Sequence, residues 1–305
     1  MNIGQFNARG PHNGVEHWFD LIHDELINQG HEVRQFWLRG DQPTKEDKEW
    51  MDFALFHFSQ VALHYMRLGV PYCILPSAND CFPDNGAKLK KAASHKNCKF
   101  VTYQSQYHLE KYKEWNIPKP KVYVPMPARI DLFKRTKPVG TKIIAGGRLI
   151  PKKGLDKLPN RSDLYIFGDG PLRTRLVCRL PKVNFVGWLE GEELRDLMED
   201  SWLFLNPSIE TEDGDKEGIP NTLKEALLME LHVISSPIAG IPELKHVNLV
   251  KDWSDIYING YIKDLEKINQ GYTFYKFRGN LEGKEEIRNI YSPENCVNKL
   301  LEMIK

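Results

Sequence analysis

Apolar positions along this chain follow two alternating rhythms. Short runs such as "NIGQF", "HEVRQFWL", "DFALFHF", "PYCILPS" and "KFVTYQS" are dense in aliphatic, β-branched and aromatic residues and predict buried strands. Between them lie stretches with helical spacing. In "GVEHWFDLIHDELINQG", Trp18, Leu21, Ile22 and Leu26 share one face and Gly30 supplies a stop. Strands alternating with helices predict parallel sheets covered on both faces. Near residue 125 the rhythm lapses. "VPMPARIDLFKRTKPVG" carries Pro125, Pro127 and Pro138 without a period and reads as an interdomain linker. The rhythm resumes with "TKIIAGGRLI", "DLYIFGDG", "VNFVGW", "WLFLNPS", "HVISSP" and "VNLVKDW", and "SPENCVNKLLEMIK" reads as a capped helix. The expected organisation is one Rossmann-like domain over residues 1–135, a second over 136–290, and a C-terminal helix, 291–305, packing back toward the first.

Composition narrows the class. With 305 residues the chain is long enough for two α/β domains. Hydrophobic residues at 41% and charged residues at 27% are ordinary for a water-soluble globular protein. A net charge of +1 argues against a chain-wide polyanion binder and leaves local patches open. The five cysteines include no C-x-x-C pair, which reads as reduced thiols rather than a disulfide framework or a zinc site. No apolar run approaches the roughly 20 residues that span a bilayer. The opening "MNIGQFNARG" lacks a charged-then-apolar leader pattern. A cytoplasmic location is expected.

In open α/β sheets ligands bind at the carboxyl ends of strands, and the second half concentrates its unusual residues there. After "KIIAGG" come Arg148, Lys152, Lys153 and Gly154. After "LYIF" comes a tight turn with Gly168 and Gly170. After "WLFLNPS" the loop "IETEDGDKEGIP" delivers Glu217 and Gly218. Pro220 suits the first turn of the next helix, whose open N–H groups at Asn221, Thr222 and Leu223 form a phosphate site. Arg148 and Lys153 can neutralise the same phosphates. Glu217 before the helix and Glu225 two turns inside it are placed to accept from ligand hydroxyls. A ligand with hydroxyls at both ends and phosphates in the middle is a nucleotide-sugar.

The blocks "GGRLIPKKG", "FGDGPLRTRL", "VNFVGWLEGEEL", "LNPS" and "DGDKEGIPNTLKEALLMELHVISSPIAGIPEL" resemble, in order, the signatures of retaining GT-B glycosyltransferases of family 4, the last block its exopolysaccharide branch. The resemblance is strong over residues 141–245. It is weaker at "ARGPHNGVEHWFDLIHDELINQGHEV", which is similar to the family's N-terminal glycine-rich loop and first helix. It implies an α/β GT-B fold of two Rossmann-like doubly wound domains facing a cleft. It also implies a catalytic set of Glu217, Arg148 and Lys153. The implied donor-binding positions are Gly147, Arg148, Lys153, Gly168, Gly170, Gly218, Ile219, Pro220, Asn221, Thr222, Leu223, Glu225 and Gly14. In the family the first Glu contacts the donor sugar, the second the ribose, and the Arg and Lys the diphosphate. The donor, UDP- or GDP-linked, is a co-substrate, and no cofactor or metal is implied. Two departures stand out. Glu230 and His232 replace a small residue and a proline after the second Glu. Ser77, with Asn79 and Asp80 beyond it, stands where many members place a histidine. The N-terminal half is also short for the family.

Several readings remain open beside this one. His57 ends its strand and either faces the cleft or packs. Asp213-Gly214-Asp215 is a D-x-D, expected to be loop acid rather than a metal ligand. The lysine-rich run 88–99 is a solvated helix or a basic rim for an anionic acceptor. Trp188 is expected to pack near the cleft, and hinge motion is expected near 125–140. The acceptor is a glycan or lipid-linked sugar, with peripheral membrane contact, or alternatively a modified base in DNA. A non-catalytic nucleotide-sugar-binding protein is the rival from another class. A nicotinamide dehydrogenase is disfavoured because neither half has G-x-G-x-x-G after its first strand.

Overall fold

A computed structural model describes residues 1–8, 14–40, 42–76, 84, 86–212, 214–270 and 279–304. These form two compact units, Met1–Ala128 with Ile290–Lys305, and Arg129–Asn289.

The first unit runs β1 (Asn2–Asn7), α1 (Gly14–Asn28), β2 (Glu32–Trp37), α2 (Lys45–Trp50), β3 (Phe53–His57), α3 (Ser59–Tyr65), β4 (Tyr72–Leu75), α4 (Ala87–Ala93), β5 (Cys98–Tyr103), α5 (Gln106–Glu114) and β6 (Lys121–Tyr123). Its strands pair in parallel in the order β2-β1-β3-β4-β5-β6. Strands β3 and β4 are buried at every position, as central parallel strands covered on both faces must be. Helix α1 buries Trp18, Phe19, Ile22 and Leu26. Phe19, rather than the expected Leu21, completes the stripe, because it packs beside Trp37 and His57. Gly30, at φ +82°, ends the turn after α1 where a side chain would be strained.

The second unit runs β7 (Lys142–Gly146), β8 (Leu164–Phe167), α6 (Arg173–Arg179), β9 (Asn184–Gly187), α7 (Gly191–Glu199), β10 (Ser201–Asn206), α8 (Asn221–Leu228), β11 (His232–Ser235), β12 (Asn248–Leu249) and α9 (Asp255–Gln270). Helix α10 (Leu281–Tyr291) follows, and α11 (Pro293–Ile304) belongs to the first unit. There its Cys296, Val297 and Leu300 share a core with Trp18, Ile22 and Leu26 of α1. The second sheet is parallel throughout, in the order β9-β8-β7-β10-β11-β12. This is the dinucleotide-fold order, in which the chain reverses direction across the sheet between β7 and β10. That reversal is where such sheets bind ligands.

The proline-rich stretch read as a linker is fastened from Arg129 onward. Phe133 is buried. The Arg135 guanidinium donates to the carbonyls of Met198, Glu199, Ser201 and Met229 at 2.7–3.1 Å. The Glu199 carboxylate accepts from Thr136 N, Thr136 Oγ1 and Lys137 N at 2.7–2.9 Å. Burial pushes the Glu199 pKa up, but these bonds and the Lys137 ammonium outweigh it and bring it to about 2. The chain therefore passes between units at Ala128/Arg129, seven positions before the expected boundary at 135. Ala128 N–H donates to Tyr291 O at 2.8 Å, tying the outgoing and returning segments together.

Candidate functional site

The reversal point is built by two loops. The first leaves β7 through Gly146 and Gly147, at φ +152° and +115°, and carries Arg148 and a 3-10 turn, Pro151–Lys153. The second leaves β10 and runs through Glu217 into α8. They are joined by backbone: Ile209 N–H donates to Lys152 O at 2.8 Å. Gly154 permits this approach, because a Cβ there would collide with the Pro207 carbonyl. Gly168 does the same for the β8 loop, where a Cβ would strike Gly147 O. Gly168 and Gly170 thus act in the described residues by letting the β8 loop lie on the β7 loop.

Onto this base fall the charges. Lys153 Nζ lies 3.3 Å from Glu217 Oε2, and Lys152 Nζ lies 3.9 Å from Glu217 Oε1. Lys152 Nζ also donates to Asp215 Oδ1 at 3.0 Å. Both lysines are buried, while Arg148 is exposed and makes no ion pair among the described residues. Burial would push the Glu217 carboxyl up, but Lys153, Lys152 and Arg148 hold it below the usual carboxylate range. The group is therefore ionised at neutral pH and fixed by two ammonium groups.

The structure thus unites Glu217, Lys153 and Lys152, and adds Asp215 as a counterion the motif reading had not assigned. Asp213 lies outside the described residues. Gly218 and Pro220 are buried and Ile219 is half-buried at the entry to α8. Pro220 is the N-cap itself rather than a first-turn residue. Its carbonyl accepts from Leu223 N–H at 3.2 Å and Lys224 N–H at 3.3 Å, so the Leu223 N–H is not open to a ligand as expected. Thr222 carries the open group of this turn: its hydroxyl is buried without a hydrogen-bond partner. Asn221 begins the helix beside it.

Glu225 lies in the buried part of α8, its side chain 4% exposed. Arg129 Nε and Nη2 both donate to Glu225 Oε1, at 2.9 and 2.7 Å, and Oε2 is buried without a partner. Sequence reasoning missed Arg129. Its one signal was a basic residue inside an otherwise proline-rich stretch.

The remaining candidates belong elsewhere. His57 is fully buried in the first unit. Gln5 Nε2 lies 3.1 Å from His57 Nε2, and the rings of Trp18 and Phe19 sit 5.1 and 5.0 Å away. Burial brings its pKa down to about 3, so of the two readings left open for it, packing is correct. Trp188 is 42% exposed with Nε1 donating to Glu190 Oε2 at 3.3 Å, which corrects the expectation that it packs. Glu230 takes φ +61° after α8 and is held there by Lys284 at 2.6 Å. Gly14 opens α1. Ser77, Asn79 and Asp80 lie outside the described residues. No helix among the described residues is long and apolar enough to cross a membrane.

Two parallel six-stranded sheets with flanking helices constitute the GT-B glycosyltransferase fold. HepE of Anabaena, solved with UDP, matches at a TM-score of 0.74 and 15% identity, over 100% of this chain and 99% of HepE. HepE has also been solved with UDP-glucose. Residues 143–266 match the family described as glycosyl transferases group 1. AmsK of Erwinia amylovora, a glycosyltransferase of amylovoran biosynthesis, is 34% identical over 128 residues, 37% of this chain and 31% of AmsK. WcaL of Escherichia coli, a glycosyltransferase named for colanic acid biosynthesis, is 34% identical over 119 residues, 34% of this chain and 29% of WcaL. The matched stretches span about a third of the length of these two relatives.

Proposed function

We propose that this chain is a retaining, metal-independent glycosyltransferase. It moves a sugar from a UDP- or GDP-linked donor to a hydroxyl on a glycan or lipid-linked sugar. The observation that carries this reading is the convergence of Arg148, Lys152, Lys153 and Glu217 with the entry to α8 at the reversal point of the second sheet. The HepE complexes with UDP and UDP-glucose support a nucleotide-sugar on this fold.

As the bond from the anomeric carbon to phosphate lengthens, negative charge gathers on the departing diphosphate. Arg148, Lys153 and the first N–H groups of α8 stabilise it electrostatically. Glu217 stands as counterion to the two lysines before the donor binds. It then accepts from sugar hydroxyls, and its fixed position supplies orientation. Glu225 accepts from the ribose. The acceptor hydroxyl attacks from the face the diphosphate leaves, and a donor phosphate oxygen takes its proton, so no protein nucleophile is required.

A thermal-shift panel of UDP- and GDP-sugars tests this reading, followed by assays for released free sugar. One donor should raise the melting temperature and be hydrolysed slowly. Stabilisation without any turnover would favour a binding protein, and no stabilisation by any donor would overturn the reading. A second acceptor class, a modified base in DNA, is favoured by one observation: Lys88, Lys90, Lys91, Lys96 and Lys99 are all exposed on and after α4. Steeply salt-dependent transfer to modified DNA, absent with lipid-linked acceptors, would select it.

A further inference from the structure

The Arg129–Glu225 pair has an unusual shape for two buried charges. A guanidinium and a carboxylate usually meet fork to fork, each oxygen taking one bond. Here Nε and Nη2 both converge on Oε1, and Oε2, equally shut from solvent, receives nothing. Leaving half of a buried carboxylate unbonded costs stability, so a pair that served folding alone would be expected to use both oxygens. Arg129 is itself constrained, with its guanidinium carbon 4.8 Å from the Phe133 ring centre and its side chain 14% exposed. Phe133 is in turn buried. The arginine is thus held from one side while it holds the glutamate from the other. Thr222, three positions earlier on α8, presents a second buried oxygen without a partner. Residues three apart on a helix are neighbours.

We propose that Arg129 is a positioning residue for the nucleotide: it pins Glu225 through Oε1 so that Oε2 is kept for a ribose hydroxyl. This rests on the donor reading above and assigns a role to a residue in the segment where the chain enters the second unit. Recognition of this kind is selective, because a ligand lacking the hydroxyl leaves the buried oxygen unsatisfied.

The test compares UDP (with GDP and ADP run in parallel) against the matching 2′,3′-dideoxy nucleotide by titration calorimetry. The proteins are the full-length wild type, Arg129→Lys, Arg129→Gln, Glu225→Gln and the double variant Arg129→Gln/Glu225→Gln. Wild type should prefer the ribonucleotide by roughly ten- to a hundredfold, the scale of one hydrogen bond to a charged group. Arg129→Lys keeps a positive charge but cannot present the two fixed donors of a guanidinium to Oε1, and should lose most of that preference while affinity for the dideoxy compound stays the same. The double variant relieves the unpaired buried carboxylate of Arg129→Gln and should show no preference. If Arg129→Lys retains the full preference and Glu225→Gln abolishes it, positioning by Arg129 is wrong and the ribose role of Glu225 stands. If wild type binds both compounds equally, the ribose role fails and takes the proposal with it. If no nucleoside diphosphate binds at all, the donor reading itself fails.

Discussion

Each of the two sheets reverses its strand order once, between β1 and β3 in the first unit and between β7 and β10 in the second. The two points are furnished in opposite ways. At the first, the described end of β3 carries a neutral group closed over by aromatics: His57 against Trp18 and Phe19, with Gln5 of β1 on its ring nitrogen. The imidazole there is too desolvated to protonate at neutral pH. At the second, the carboxyl ends carry Arg148, Lys152, Lys153, Asp215 and Glu217, and each buried cation has a carboxylate within 4 Å. A reversal of strand order therefore does not by itself decide where charge is kept. Charge survives burial where opposite charge is supplied, and among the described residues at these two points the second unit supplies it. That difference is why the proposed donor site is assigned to the second unit.

The largest expected effect comes from removing one carboxylate. Glu217→Gln should cut turnover roughly a hundredfold, the scale of losing one preorganised contact to the reacting sugar. Nucleoside-diphosphate affinity should hold or rise, since Lys152 and Lys153 lose a competing partner. Rate measurements with parallel titrations check this, and an equal loss of nucleotide affinity would remove Glu217 from the sugar.

Acid should separate the units next. As pH falls through about 6.5 the unfolded chain protonates His57, while folded His57 stays neutral down to about 3. The unfolded state then binds more protons, so stability declines across that window, by on the order of 1–2 kcal/mol near pH 5. His108, buried and brought down to about 4, acts in the same direction. Glu199 in the second unit has a folded pKa lowered to about 2 from 4.5. Its contribution is present above about 4.5 and lost only as pH falls from there toward 2. Hydrogen exchange followed peptide by peptide should show β3 losing protection at a higher pH than β10. Simultaneous loss in both strands would break the comparison.

Smaller still is the phosphate clamp. Arg148→Ala and Lys153→Ala should each weaken diphosphate binding about tenfold while binding of the bare nucleoside barely changes. Arg148→Ala should also leave the melting temperature unchanged, because the side chain is exposed. Parallel loss for nucleoside and diphosphate would refute the clamp. The smallest expected effect is none: excess EDTA should leave transfer intact, since side-chain cations already serve the diphosphate. An absolute requirement restored by Mn²⁺ would return Asp215 to consideration as a ligand.

The alternation of strand and helix was legible along the chain because apolar spacing is a local property, repeated within each element. The placement of Arg148, Lys153 and Glu217 in loops leaving the carboxyl ends of strands was legible for the same reason, as each loop follows an apolar run. The partners were not. Arg129 meets Glu225 across 96 positions and Lys152 meets Asp215 across 63. These pairings join segments brought together only by the assembled second unit, and strand order carries no local periodicity. Nor could spacing tell that His57 packs, since a histidine ending a buried strand reads the same whether its ring meets solvent or tryptophan. The sequence alone thus determined the elements and the chemistry carried on their ends. The tertiary structure alone decided which charges face one another and which polar groups are sealed from water, because both depend on contacts between segments far apart in the chain.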